Sequence, residues 1–199
     1  MRPPGDLVGY GTMGDVARPK KPATTSDLIR SLVVIIVPLL LITAFFTHNL
    51  GDHPVTEVDW RPAVTQARAE APYPVLAPVN LPPGWRSVQA TWVKAGDAYL
   101  NGEPSARNLW KLGFLTTDDV FIGLSQGDLQ PTTFIQDETR QGVADGQSVV
   151  GDQTWARMVS PDGRTRSLVE STPKVTTIVS ADLPYEALET YAGILSSSG

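Results

Sequence analysis

The sequence predicts an α+β fold: an antiparallel sheet of about six or seven strands with N- and C-terminal helices packed on it, preceded by one transmembrane helix. Three patterns carry that expectation. Hydropathy alternates with a period of two through most of the chain beyond Trp85, it follows a helical period at Trp60 to Glu70 and again after Asp182, and residues 31–51 bear no formal charge.

Residues 1–27 are rich in Gly, Pro, Thr and Lys and nearly free of large apolar residues, so they are expected to form a disordered cytoplasmic tail. Residues 28–50 form the span. The 21 uncharged positions between Arg30 and Asp52 cover about 31 Å as a helix, close to the hydrocarbon thickness of a bilayer. Arg2, Arg18, Lys20, Lys21 and Arg30 precede the span, whereas the next twenty residues offer only Arg61. Basic flanks resist translocation, which places the N-terminus in the cytoplasm and the C-terminal part outside, at the cell membrane. A cleaved signal peptide begins in the same way, but Thr43-Ala44-Phe45-Phe46-Thr47-His48 lacks the small residues that cleavage needs. An uncleaved anchor is therefore expected. Pro38 lies inside it and bends a helix only slightly.

Residues 51–84 hold seven prolines and read as a stiff connector interrupted by a short helix, Trp60 to Glu70. Trp60, Val64, Ala67 and Ala71 recur at helical spacing with Asp59 placed to cap them, and Pro72 to Gly84 then runs extended. The extracytoplasmic domain follows at 85–199. Val88, Ala90 and Trp92 alternate with polar neighbours, as do Trp110, Leu112 and Phe114, and then Val120, Ile122 and Leu124 after the turn Thr117-Asp118-Asp119. Pro131 to Thr139 forms a short helix. Ser148 to Val150 and Gln153 to Val159 flank Gly151-Asp152, a dipeptide suited to a tight hairpin. Pro161-Asp162-Gly163 is a turn, and Ser167 to Glu170 with Val175 to Val179 complete the sheet. The last helix starts after Asp182 with Pro184 in its first turn and shows Leu188, Tyr191, Ala192 and Leu195 on one face.

Charge narrows the range of functions. The chain from Gly51 onward carries 18 acidic and 11 basic side chains, which disfavours nucleic acid and anionic headgroups as partners. The absence of cysteine removes disulfides, thiol catalysis and thiolate metal sites, and the domain must hold by packing alone.

Two motifs suggest catalysis and fail on context. Gly123-Leu124-Ser125-Gln126-Gly127 matches G-x-S-x-G, yet the serine needs a histidine base later in the chain and none follows His53. Ser171-Thr172-Pro173-Lys174 matches S-x-x-K, which requires a helical turn, but Pro173 and the β-branched run from Val175 dictate a strand. His48 and His53 are five apart, off the one-turn spacing that would bring two imidazoles onto one metal. No catalytic residue, metal ligand or cofactor is therefore expected. Tryptophans on strands fill core volume; the alternative is an aromatic groove on the uncovered sheet face, made by Trp85, Arg86, Trp110, Trp155 and Arg157.

The order W-R-P-A-V at Trp60 to Val64, P-Y-P-V-L-A-P at Pro72 to Pro78, L-P-P-G-W-R at Leu81 to Arg86, W-K-L-G-F at Trp110 to Phe114 and G-D-Q-T-W at Gly151 to Trp155 resembles an uncharacterised actinobacterial single-pass membrane family, domain of unknown function 4245. The resemblance runs from the span to the C-terminus. It implies an envelope protein and assigns no activity. The expected function is that of a non-enzymatic bitopic envelope protein whose outer domain binds a partner protein or envelope ligand near the membrane. Its alternatives are a lipid or small-amphiphile carrier or sensor, which an apolar cavity above about 300 Å³ would favour, and an envelope hydrolase with an unrecognised site.

Overall fold

The computed structural model of the protein describes residues 25–48 and 56–198, which fall into two units, Met1–Pro54 and Val55–Gly199. Most of the tail expected to be disordered, and His53, lie outside the described residues.

In the first unit, helix α1 (Thr25–His48) contains Pro38. Its apolar side chains are exposed, Val34 at 70 % and Leu40 at 60 %. Thr43 Oγ1 donates to the carbonyls of Leu39 and Leu40 at 2.9 and 3.0 Å, so the one hydroxyl of the apolar run is satisfied within its own helix. Among the described residues, no helix is long and apolar enough to cross a membrane.

The second unit is α+β and is built on one antiparallel sheet. Its elements are α2 (Arg61–Glu70), β1 (Ala77–Pro78), β2 (Arg86–Val93), β3 (Leu109–Leu115), β4 (Phe121–Gly127), α3 (Pro131–Glu138), β5 (Val143–Val150), β6 (Gln153–Val159), β7 (Arg166–Ser171), β8 (Thr176–Ala181), α4 (Tyr185–Gly193) and β9 (Leu195–Ser196). The seven-stranded sheet has the order β2-β3-β4-β8-β7-β6-β5, and β1 pairs with β9 in a separate ribbon. Two meanders, β2-β3-β4 and β5-β6-β7-β8, thus meet along β4 and β8, and α3 carries the chain from the centre to the far edge. Gly151 and Gly163 take φ of +60° and +72°, the left-handed conformation that their hairpin turns require.

The two sheet faces are covered unequally. Trp110, Leu112 and Phe114 of β3, Ile122 and Leu124 of β4, Leu168 of β7, Val179 and Ala181 of β8 and Trp155 of β6 point to the better covered face, where α2, α4 and residues 73–77 close the main core. On the other face α3 buries Phe134 over a smaller cluster of Val93, Leu109, Val169 and Ile178. The second unit therefore has its own core and its own hydrogen-bonded sheet, the requirements for folding alone.

The helix at Trp60 to Glu70 packs on the sheet through Val64 and Ala67, as its apolar spacing predicts, but the Pro-rich stretch around it is not a connector apart from the domain: Tyr73, Val75 and Ala77 are core residues too. Prolines here shape a strap that lies on the sheet, and side chains rather than a ladder meet its backbone. Gln126 Oε1 accepts from Leu76 N–H at 2.8 Å, while Gln126 Nε2 donates to Pro74 O at 3.2 Å. Trp110 Nε1 donates to Leu76 O at 2.9 Å, and Tyr73 Oη donates to the carbonyls of Asn108 and Gln126 at 3.1 and 3.2 Å. A further difference concerns Asp59. Trp60 occupies the N-cap of α2 without a side-chain bond, and Asp59, one residue upstream, accepts from Arg61 N–H at 3.2 Å.

Replacing Gln126 with leucine keeps the volume and orphans Leu76 N–H, Pro74 O and Thr177 Oγ1 together. Urea denaturation of the 55–199 unit is expected to show a loss of about 2–4 kcal/mol, with the transition remaining cooperative.

Candidate functional site

Beside the strap the sheet is not fully closed. Between residues 74–76, the C-terminal end of α4 and β6 to β8 there is an open cleft of about 650 Å³. Leu76, Val175, Ala192 and Leu195 supply apolar walls, and Gln126, Trp155, Glu170 and Thr177 supply the sheet side. Strand alternation puts these four on the covered face, because each shares its face with a core residue two positions away along the strand or across the ladder. The β7–β8 turn forms one rim. Thr172 N donates to Val175 O at 2.9 Å, and Thr172 Oγ1 accepts from the backbone of Lys174 and Val175, which leaves the Lys174 side chain exposed.

Polar groups in the cleft differ in how they are met. Gln126 is fully engaged by the strap and by Thr177 Oγ1, to which its Nε2 donates at 3.1 Å. Trp155 is 2 % exposed, yet its Nε1 is buried without a hydrogen-bond partner. Partial burial raises the Glu170 carboxyl above its ordinary value of 4.5, with no opposing charge or hydrogen bond acting on it. The opposite end of the cleft is tied down by Arg68, whose Nη2 donates to Ser196 O at 3.0 Å and whose Nε donates to Val75 O at 3.4 Å.

The residues expected to form one aromatic surface are dispersed. Trp110 is fully buried on the covered face, and its indole is committed to the strap. Trp85 precedes β2 and packs on Tyr191 and Phe114 at 5.7 and 6.5 Å between ring centres, and the neighbouring Arg86 pairs with Asp119. Arg157 lies near the far edge, bonded to Glu189 at 2.7 Å and to Ser148 Oγ at 2.6 Å, with its guanidinium 4.6 Å from the Tyr185 ring centre. The bonds from Ser148 and Arg157 hold the Glu189 carboxyl below its usual range. Burial, and then a bond to Asp145, pushes the Tyr185 phenol up to about 12. Of the five, Trp155 is the residue that lines the cleft. Gln126, Glu170 and Thr177 escaped the sequence reading, although Glu170 two positions after Leu168 and Gln126 two after Leu124 place polar groups on an apolar face.

Neither catalytic motif assembles. Ser125 lies within β4, opposite Lys111 of β3 and Ile178 of β8, instead of on an exposed turn. Its Oγ donates to Glu138 Oε2 at 2.8 Å, and Glu138 Oε1 pairs with Lys111 at 2.6 Å, so the hydroxyl is part of a half-buried ionic cluster that fastens α3 to the sheet. Ser171 ends β7 and shares a hydrogen bond with Thr176 Oγ1 at 3.0 Å.

The chain belongs to the family described as protein of unknown function DUF4245, whose model matches residues 20–195. No functionally curated protein matches it. Among solved structures, a chain from the complex of Pseudomonas aeruginosa MucA/MucB is similar, with 14 % identity and a TM-score of 0.33. That match covers 61 % of this chain and 34 % of the other, so this chain corresponds to about a third of that protein.

A carboxyl whose folded value is raised binds its proton more tightly in the folded state than in the unfolded one. Stability is thus lost as pH rises from about 4.5 through the folded value, and the loss is complete above it. Thermal melts of Glu170→Gln should accordingly lie above those of the parent at neutral pH, and the gap should close below about pH 4.5.

Proposed function

We propose that this member of the DUF4245 family is a non-enzymatic, single-pass envelope protein of an actinobacterial cell, whose extracytoplasmic unit binds a small amphiphilic ligand in the cleft beside the strap. The observation that carries the reading is the cleft itself. Its volume of about 650 Å³ falls in the range of small-molecule sites, and it joins apolar walls to a few unmet polar groups, Glu170 and the Trp155 indole among them. Such a combination suits a ligand with a hydrocarbon part and a polar end. It favours the carrier or sensor role over docking of a partner protein, because the large apolar side chains exposed on the second unit, Val58, Val79, Leu100, Phe121 and Leu129 among them, lie in separate stretches of chain, and only Val143 and Val149 share an element.

The membrane part rests on the sequence. Residues 31–51 are uncharged and the basic residues precede them. Exposure of Val34, Leu40 and their neighbours on α1 is consistent with a lipid-facing helix. The binding role without catalysis is supported by the engagement of Ser125 with Glu138 and by the bond of Ser171 to Thr176 rather than to Lys174.

Two measurements test this. A tag placed behind Gly199 should react with a membrane-impermeant reagent in intact cells; labelling only after lysis would refute the orientation. The purified 55–199 unit should bind a fluorescent naphthylamine probe with one-to-one saturation, and Val175→Trp, which fills the cleft, should weaken that binding by at least about tenfold. Binding that Val175→Trp leaves unchanged would place the ligand elsewhere.

A further inference from the structure

Four carboxylates of the second unit are half-buried among the described residues: Asp128, Glu138, Glu170 and Glu189. Asp128 accepts from Asn108 N and Nδ2 at 3.0 and 2.6 Å, Glu138 from Lys111 and Ser125, and Glu189 from Arg157 and Ser148. Glu170 has neither an ion pair nor a hydrogen bond, although charge removed from water is ordinarily compensated. Nor do its neighbours supply a partner. Thr177, directly across the ladder, accepts from Gln126 Nε2 and makes no hydrogen bond to Glu170. Arg68 bonds the carbonyls of Ser196 and Val75, and Lys174, which lines the rim of the same cleft, is exposed and makes no ion pair among the described residues.

The uncompensated carboxylate lies in the same cleft as the apolar walls Leu76, Val175 and Leu195. We infer that the cleft selects amphiphiles with a cationic head: an ammonium group pairs with Glu170, and the attached hydrocarbon lies against Leu76, Val175 and Leu195. At Glu170 an anionic head would meet repulsion, with Lys174 on the exposed rim as the cation it would find instead, and a neutral head would leave the carboxylate unpaired, so the charge of the ligand separates the cases. This inference rests on the binding role proposed above and names the ligand class for that site.

Calorimetric titration of the 55–199 unit with octylammonium, octanol and octanoate, each below its micellar concentration, tests it. Octylammonium should bind at least about tenfold more tightly than the other two, and added salt should reduce that preference. Glu170→Gln should abolish the preference, while Glu170→Asp, which keeps the charge, should retain it. If all three compounds bind with similar affinity and Val175→Trp weakens each of them, the cleft is a ligand site and the choice of a cationic head is overturned. If none binds, the binding role fails, and this inference fails with it.

Discussion

A single buried amide organises the covered face. The strap at 74–76 lies on the sheet with no neighbouring strand to meet its backbone, and backbone groups left unmet in a core each cost about 1–3 kcal/mol. Gln126 answers both polarities at once, accepting from Leu76 N–H and donating to Pro74 O, while Trp110 serves the remaining carbonyl of Leu76. A leucine in place of Gln126 would fit the surrounding apolar cluster and leave the strap without anchors. The polar residue sets where the strap lies, and burial of Val75 and Ala77 then holds it there.

From that anchorage the cleft follows. Because the strap is fixed, Val79 N–H donates to Ile194 O at 3.0 Å and β1 pairs with β9, Ala77 opposite Ser196 and Pro78 opposite Leu195. Arg68 adds its bonds to Val75 O and Ser196 O from the last turn of α2. The C-terminal segment is thereby held at a distance from β6 to β8 that side chains do not fill. Open space of this kind next to a closely packed core forgoes dispersion contacts on its walls, and a bound hydrocarbon would restore them. The same face shows what closure looks like further along, where Tyr191, Phe114 and Trp85 stack and leave no comparable gap.

Much of this architecture is legible in the sequence because period and turn chemistry agree. The strand at Gln153–Val159, the helix at Pro131–Glu138 and the helix beginning at Tyr185 after Pro184 form where apolar spacing and turn residues place them. Three features are not legible for physical reasons. β5 starts at Val143, earlier than its alternation suggests, because it is an exposed edge strand with a register shift between Ala144 and Gln147 and Gly146 at φ +96°. β1 and β9 are two residues each, too short for any period to appear. The strap reads as a linker because proline content signals extended chain, and extended chain is equally able to lie on a core as to cross solvent. In the site, Trp155 carries a sequence signal, but Glu170 and Gln126 become informative only once Leu168 and Leu124 are known to face inward.

The central claim is that the space between the strap, the C-terminal segment and β6 to β8 is a ligand site. Its most direct test follows the five tryptophan indole N–H resonances of the 55–199 unit by proton–nitrogen correlation spectroscopy as an octyl ligand is added. The account predicts that the Trp155 signal shifts progressively and saturates, while that of Trp110, bonded to Leu76 O, stays in place. A Trp155 signal that does not move, or a uniform drift of all five, would contradict it.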